Sequence, residues 1–375
     1  MPALLDTVDP EGLQEFSVVF TDRSLNHMSA AFQQVMRDIS EMLKEVYKAQ
    51  GVALVPGGGT YGMESVARQF GHDAHAMIVR NGWFSYRWSQ IFEAGGFAAQ
   101  TTVFKARQTG NGPQAPFAPA PVEEVVAMIR ETKPDVVFAP HVETSAGLIL
   151  PEDYITALAA AAHEVGALMV LDCIASGCVW VDMEKTGVDV LISAPQKGWS
   201  ASPSAGLVMM SDRALQRLEN TTSDSFGLDL KKWRSIMQAY EDGGHAYHAT
   251  MPTDALRAFR DTMQETRDYG FDKLQDAQWA LGNGVRKMLA DKGVTSVAAE
   301  GFGAPGVVVS YTDDPDIQNG KKFAALGMQI AAGVPLACDE PEGFMTFRLG
   351  LFGLDKLYDT DATLARLKTV LDKVL

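Results

Sequence analysis

At 375 residues the chain is longer than one small core organises, and its length points to two domains. Hydrophobic residues make up 46% and charged residues 21%, as in an ordinary soluble globular protein. A net charge of −15 argues against nucleic-acid binding, and three cysteines without a CxxC pair (Cys173, Cys178, Cys338) give no disulfide framework.

The first fifteen residues carry Asp6, Asp9 and Glu11 and no basic residue ahead of an apolar run, which is not the pattern of a signal peptide. No apolar run approaches the ~20 residues needed to span a bilayer, so a cytoplasmic protein without membrane contact is expected. Residues 1–27 read as an arm laid against the rest. A helix follows over about 29–49, where Phe32, Val35, Met36, Ile39, Met42, Leu43 and Val46 recur at three- and four-residue spacing. Short apolar runs then alternate with amphipathic stretches: strands at 52–55, 76–79, 136–139, 168–171 and 188–192, helices at 61–70, 84–93, 122–132 and 152–165. This alternation predicts βαβ units, and the continuous apolar runs predict a mostly parallel sheet covered on both faces. After a strand at 205–210, residues 221–247 read as polar and irregular. A long helical pattern from Thr253 to near Lys292 leads into a smaller alternating region that closes with a helix over 361–374. The expected division is an arm (1–20), a large domain (21–269) and a small domain (270–375).

Three constellations carry chemistry. Pro56-Gly57-Gly58-Gly59-Thr60-Tyr61-Gly62 follows a strand and opens a helix, where glycines let backbone amides approach a phosphate. The same glycines match a dinucleotide fingerprint, with Arg80 in place of the usual acid at the second strand, so an NADP-dependent oxidoreductase is an alternative. Asp172 ends an apolar strand, and Lys197 follows another 25 residues later. Each alone has a plain reading, as a loop anchor or a snorkelling surface amine. Together, an acid and an amine at one sheet edge suit pyridoxal phosphate, the acid holding the pyridine nitrogen protonated and the amine holding the aldehyde. Arg348 lies inside the apolar run Phe347-Arg348-Leu349 and needs either an internal carboxylate or a substrate carboxylate.

In this order the segments resemble the class V aminotransferases of fold type I, nearest the alanine–glyoxylate and serine–pyruvate branch. The resemblance runs from about Asp22 to Gly353. It implies a large domain with a mostly parallel seven-stranded sheet between helices, a smaller α/β C-terminal domain, and pyridoxal 5'-phosphate as cofactor. Gly57-Gly58-Gly59-Thr60 followed by Met63-Glu64 is similar to the phosphate loop and places Gly58, Gly59 and Thr60 on the phosphate. Asn81-Gly82-Trp83-Phe84-Ser85-Tyr86-Arg87 resembles the segment whose aromatic stacks on the cofactor ring, with Phe84 at the aligned position and Trp83 beside it. His141-Val142-Glu143-Thr144-Ser145-Ala146-Gly147 puts Thr144 at the cofactor edge. Asp172 matches the pyridine-nitrogen partner, Gln196 a phosphate contact and Lys197 the Schiff-base lysine. Tyr247-His248-Ala249-Thr250 is similar to the segment that reaches across a homodimer, so Tyr247 and Thr250 would complete the partner's phosphate site. Arg348 matches the substrate-carboxylate arginine.

Two features depart from that pattern. Where a Pro-Gly-Pro segment is usual near the N-terminus the arm reads Leu4-Leu5-Asp6-Thr7-Val8-Asp9 and Glu15-Phe16-Ser17-Val18-Val19-Phe20, and Gly58 stands where relatives often carry serine. The implied reaction is ping-pong transfer of an amino group from a small amino acid to a small 2-oxo acid, with Lys197 and Asp172 as catalytic residues. The alternatives are a 2-aminoethylphosphonate or ω-amino acid transaminase, a lyase or desulfurase using Cys338, and a scaffold that binds without catalysis. No metal is expected.

Overall fold

The computed structural model describes residues 8, 9 and 11–375. The expectation for residues 4–7 of the arm lies outside them. Helix α1 (Ala30–Tyr47), capped by the Ser29 hydroxyl on the Phe32 amide, leads into β1 (Gly51–Pro56). Next come α2 (Gly59–Phe70), β2 (His75–Arg80), α3 (Trp83–Gly95), β3 (Gln100–Lys105), α4 (Val122–Thr132), β4 (Val136–Pro140), α5 (Glu152–Glu164) and β5 (Leu168–Asp172). The large sheet is completed by β6 (Val190–Ser193) and β7 (Ala205–Met210), in the order β1-β7-β6-β5-β4-β2-β3. Only β7 runs against the other six, pairing antiparallel with both β1 and β6. The expected seven-stranded, mostly parallel sheet is therefore present. Its central strands are buried on both faces, as in Val190–Ser193 and Leu168–Asp172, and each large apolar side chain so buried contributes about 1.5–3 kcal/mol.

The sequence reading needs correcting in two places. Within 221–247 lies a regular helix, α6 (Leu230–Glu241), started by the Asp229 carboxylate on the Lys232 amide. Its buried face is Leu230, Trp233, Ile236, Met237 and Tyr240, a helical spacing that the intervening lysines and arginine obscured. The single long helix expected after Thr253 is two, α7 (Thr253–Tyr269) and α8 (Phe271–Ala290). They are separated by Gly270 at φ 110°, ψ 122°, a backbone conformation that favours glycine.

A second sheet follows, from β8 (Val307–Tyr311), β9 (Ala331–Ala332) and β10 (Thr346–Gly350), with β10 central and all pairs antiparallel. Helix α9 (Thr360–Val374) closes the chain and packs on α8. Among the described residues no helix is long and apolar enough to cross a membrane.

Candidate active site

The site forms at the C-terminal edge of the parallel strands, where open α/β sheets present ligand-binding loops. Asp172 is the last residue of β5 and lies in register between Pro140 of β4 and Ile192 of β6. From the end of β6 the chain turns through Ala194–Ser204 to β7, and Lys197 stands in that turn. Gly198 fixes the turn by close approach: a Cβ there would lie 2.1 Å from the Gly177 carbonyl oxygen. Trp199 anchors it from below, buried against Trp180 at a ring distance of 4.8 Å and flanked by Tyr47. The lysine is thus mounted between a glycine that only backbone can back onto and an indole locked in the core.

The second sheet delivers the arginine. Strand side chains alternate between faces, and in β10 Phe347 and Leu349 enter an apolar core while Arg348 and Gly350 face a cavity of about 390 Å³. The Arg348 Nε donates to the Ala332 carbonyl at 2.8 Å, which fixes the stem and leaves the terminal nitrogens for another acceptor.

The same cavity is lined by Gly59, Thr60, Phe84, Thr144, Asp172, Gln196 and Lys197. Three strand ends, two helix starts and the second sheet converge there. Phe84 faces it, and Trp83 packs on Tyr86 at 5.7 Å. Gly58 caps α2 just outside the lining, and a Cβ placed on it would meet nothing within 4 Å. A Cβ on Gly59 would fall 2.5 Å from Ile174 Cδ1, so that position admits no side chain without moving Ile174. Tyr247 and Thr250 are not part of this lining. Tyr247 is 53% exposed, and its hydroxyl is 3.0 Å from that of Thr250 on the surface.

Electrostatics follow from burial. The Asp172 carboxyl is pushed up to about 7, first by burial and then by the charge of Glu143, against the Ile174 amide (2.9 Å) and Arg87, which pull it down. The Lys197 amine is held below its ordinary value by burial and by the Arg348 guanidinium; its Nζ lies 5.5 Å from the Phe352 ring centre.

Sequence reasoning left three residues of this neighbourhood without a role. Glu143 is fully buried and accepts from the amides of Phe84 (3.2 Å), Ser85 (2.8 Å) and Ser145 (3.0 Å) and from the hydroxyls of Ser85 and Ser145 (both 2.7 Å). It caps α3 with a full negative charge and so orients Phe84. Arg87 lines the cavity and donates from Nη1 to the Thr60 hydroxyl at 3.0 Å. Phe352 faces Lys197. The signal for Arg87 was available, because a residue three beyond Phe84 on one helix shares its face.

These residues fit pyridoxal phosphate. Of the amides opening α2, those of Tyr61 and Gly62 donate to the Gly58 carbonyl, while those of Gly59 and Thr60 are left for an anion with the helix dipole behind them. The Gln196 Oε1 is buried without a partner among the described residues, and the side chain lines the cavity, where its amide nitrogen can serve an anion as donor. One amine and one carboxyl share the cavity walls, and about 390 Å³ suits a small-molecule cofactor.

The Aminotransferase class-V family profile matches residues 10–301, ending before Arg348. Alanine–glyoxylate aminotransferase 1 of Saccharomyces cerevisiae is 24% identical over 335 residues, covering 83% of this chain and 82% of its own length. The 2-aminoethylphosphonate–pyruvate transaminase of Paraburkholderia phymatum is 25% identical over 355 residues, with coverages of 92% and 90%. Among solved structures, an alanine–glyoxylate aminotransferase from Nostoc sp. superposes with a TM-score of 0.75 at 21% identity, over 93% of this chain and 88% of that one.

Proposed function

The chain belongs to the class V aminotransferase family, and on that premise we propose that it moves an amino group from a small amino acid of the alanine or serine type to a small 2-oxo acid such as glyoxylate or pyruvate. It is a pyridoxal-phosphate-dependent transaminase. The observation that carries the proposal is the convergence of one amine (Lys197), one carboxyl (Asp172) and one guanidinium with free terminal nitrogens (Arg348) on a single cavity.

When bound, pyridoxal phosphate supplies an aldehyde for amines and a conjugated ring that accepts the electron pair left at the substrate carbon. In this proposal Lys197 would hold the aldehyde, and its Nζ would serve as the base that moves the proton at the substrate Cα. Its lowered pKa enlarges the neutral fraction available for that task. Asp172, when ionised, would hold a proton on the pyridine nitrogen. Gly58, Gly59, Thr60 and Gln196 would bind the phosphate, Thr144 would border the cofactor, and Phe84 would cover the ring and exclude water. Arg348 grips the substrate carboxylate with a two-pronged donor and so sets which bond at Cα is aligned for cleavage.

The competing readings lose support. All three cysteines are buried, and the Cys338 thiol is pushed up to about 12 while it donates to the Arg80 carbonyl, which disfavours a thiolate nucleophile. Arg80 is 8% exposed, bound to the Ser89 hydroxyl (2.7 Å) and stacked on Tyr86, so it offers no free face to a 2′-phosphate. A panel of donors (alanine, serine, aspartate, 2-aminoethylphosphonate, an ω-amino acid) against glyoxylate and pyruvate is expected to give its highest kcat/KM with alanine or serine. A maximum with the phosphonate or the ω-amino acid would replace the substrate assignment.

The proposal divides the chain into an arm (1–20), a large domain (21–269) and a small domain (270–375), supported by the break at Gly270 and the separate second sheet. It also makes the protein a homodimer in which Tyr247 and Thr250 serve the partner's phosphate. Support comes from exposed apolar side chains, Phe16 at 82%, Val18 at 102% and Phe226 at 77%, Phe226 packing on His248, the chain neighbour of Tyr247, at 4.6 Å. Sedimentation should give a dimer, and Thr250→Val should weaken cofactor retention about tenfold. A monomer that retains the cofactor fully would contradict this.

A further inference from the structure

We propose that Arg87 is a positioning residue for the cofactor phosphate, acting through the Thr60 hydroxyl in a cup where Gly58 contributes no hydroxyl of its own. The inference rests on the function proposed above and deepens it.

A threonine hydroxyl carries one proton and two acceptor sites. Accepting from Arg87 Nη1 at 3.0 Å occupies an acceptor site, so the hydroxyl's proton is left to point at an anion. The guanidinium is a planar fork of donors without an acceptor, so it can only donate to the hydroxyl. That bond to Thr60 is the one hydrogen bond Arg87 makes among the described residues, and its guanidinium lies over Phe84, with Cζ 5.3 Å from the ring centre. The other two cations of the cavity have separate tasks in this account, Lys197 at the aldehyde and Arg348 at the substrate carboxylate. A doubly charged phosphate at the start of α2 would otherwise rest on backbone amides, Gln196 and neutral hydroxyls. Arg87 is the fixed positive charge placed beside that cup. Gly58 has open space around its Cβ direction, so a serine fits there and can replace part of what Arg87 supplies.

The test compares two ligands that differ only in the phosphate. Apoprotein prepared from the holoenzyme is titrated with pyridoxal phosphate and with pyridoxal, and binding is followed by fluorescence and visible absorbance. The proteins are the unsubstituted chain, Arg87→Gln, Arg87→Lys and the double variant Arg87→Gln/Gly58→Ser, with thermal melts reporting their folding. Arg87→Gln should raise the dissociation constant of pyridoxal phosphate roughly tenfold while that of pyridoxal changes less than about twofold. Arg87→Lys should recover part of the loss, and so should the added serine. Equal weakening of both ligands would mean that Arg87 acts through the Phe84 ring, and an unchanged pyridoxal phosphate affinity would mean that it does not act; either overturns the inference and leaves the transaminase reading intact. If the unsubstituted protein binds neither ligand, the functional reading itself falls.

Discussion

Lys197→Ala is expected to purify without the visible absorbance of a lysine-bound cofactor and to lose roughly 10⁴-fold in turnover. Two separate roles are removed at once, the covalent hold on the aldehyde and the movement of the Cα proton. Among the residues lining the cavity, no other side chain carries an amine. The supporting turn should survive, because Gly198 and Trp199 hold it from behind through backbone approach and aromatic packing. Loss of activity without loss of fold is therefore the expected pattern, read by steady-state rate and circular dichroism together. Lys197→Arg should be nearly as inactive despite keeping the charge, since a guanidinium neither condenses with the aldehyde nor gives up a proton near neutral pH. A Lys197→Ala protein within tenfold of full activity would remove the lysine from the mechanism.

Asp172→Asn should cost roughly 10²–10³-fold in kcat and should also change how the apoprotein's stability depends on pH. The isosteric amide keeps an acceptor for the Ile174 amide, so the turn after β5 is retained. In the folded apoprotein the carboxyl is raised to about 7, whereas in the unfolded chain it titrates near ~3.9. Between those values the folded state binds more protons, and its stability falls as pH rises. The stabilisation is complete below the unfolded value, declines through the interval and is gone above about 7. Apoprotein melts from pH 4 to 8 should show that decline in the unsubstituted chain and a shallower one in Asp172→Asn, which should be the more stable protein at the upper end. Pyridoxal phosphate should reverse the penalty, because ionised Asp172 then faces a protonated ring nitrogen. Equal pH slopes in the two apoproteins would show that Asp172 is not the group burdened by burial.

Much of this arrangement was legible in the sequence because it is local. Strand ends announce themselves when an apolar run stops at a polar residue, as at Asp172, and a glycine run before a helix marks an anion site at Gly58–Gly59 whatever the ligand. Arg348 was visible because an arginine flanked by Phe347 and Leu349 must point away from the core they enter. The parts that stayed silent depend on pairings across the chain. Glu143 meets Ser85 at a separation of 58 residues, and nothing in Val142-Glu143-Thr144 says that a helix start will come to it. The spacing puts Arg87 on the face of Phe84, but its partner Thr60 comes to it only when α2 and α3 pack side by side. Helix α6 was lost for another reason, its apolar stripe being interrupted by Lys231, Lys232 and Arg234 on the outer face. The placing of Tyr247 and Thr250 came from resemblance alone; one chain leaves them on the surface.

The account stands on Lys197 being the amine that holds the cofactor, and reduction of the holoenzyme with borohydride followed by peptide mass mapping tests this most directly. The account predicts a single phosphopyridoxyl adduct on the peptide containing Gln196-Lys197-Gly198. An adduct on a different lysine, or none on a protein that still transaminates, would contradict it.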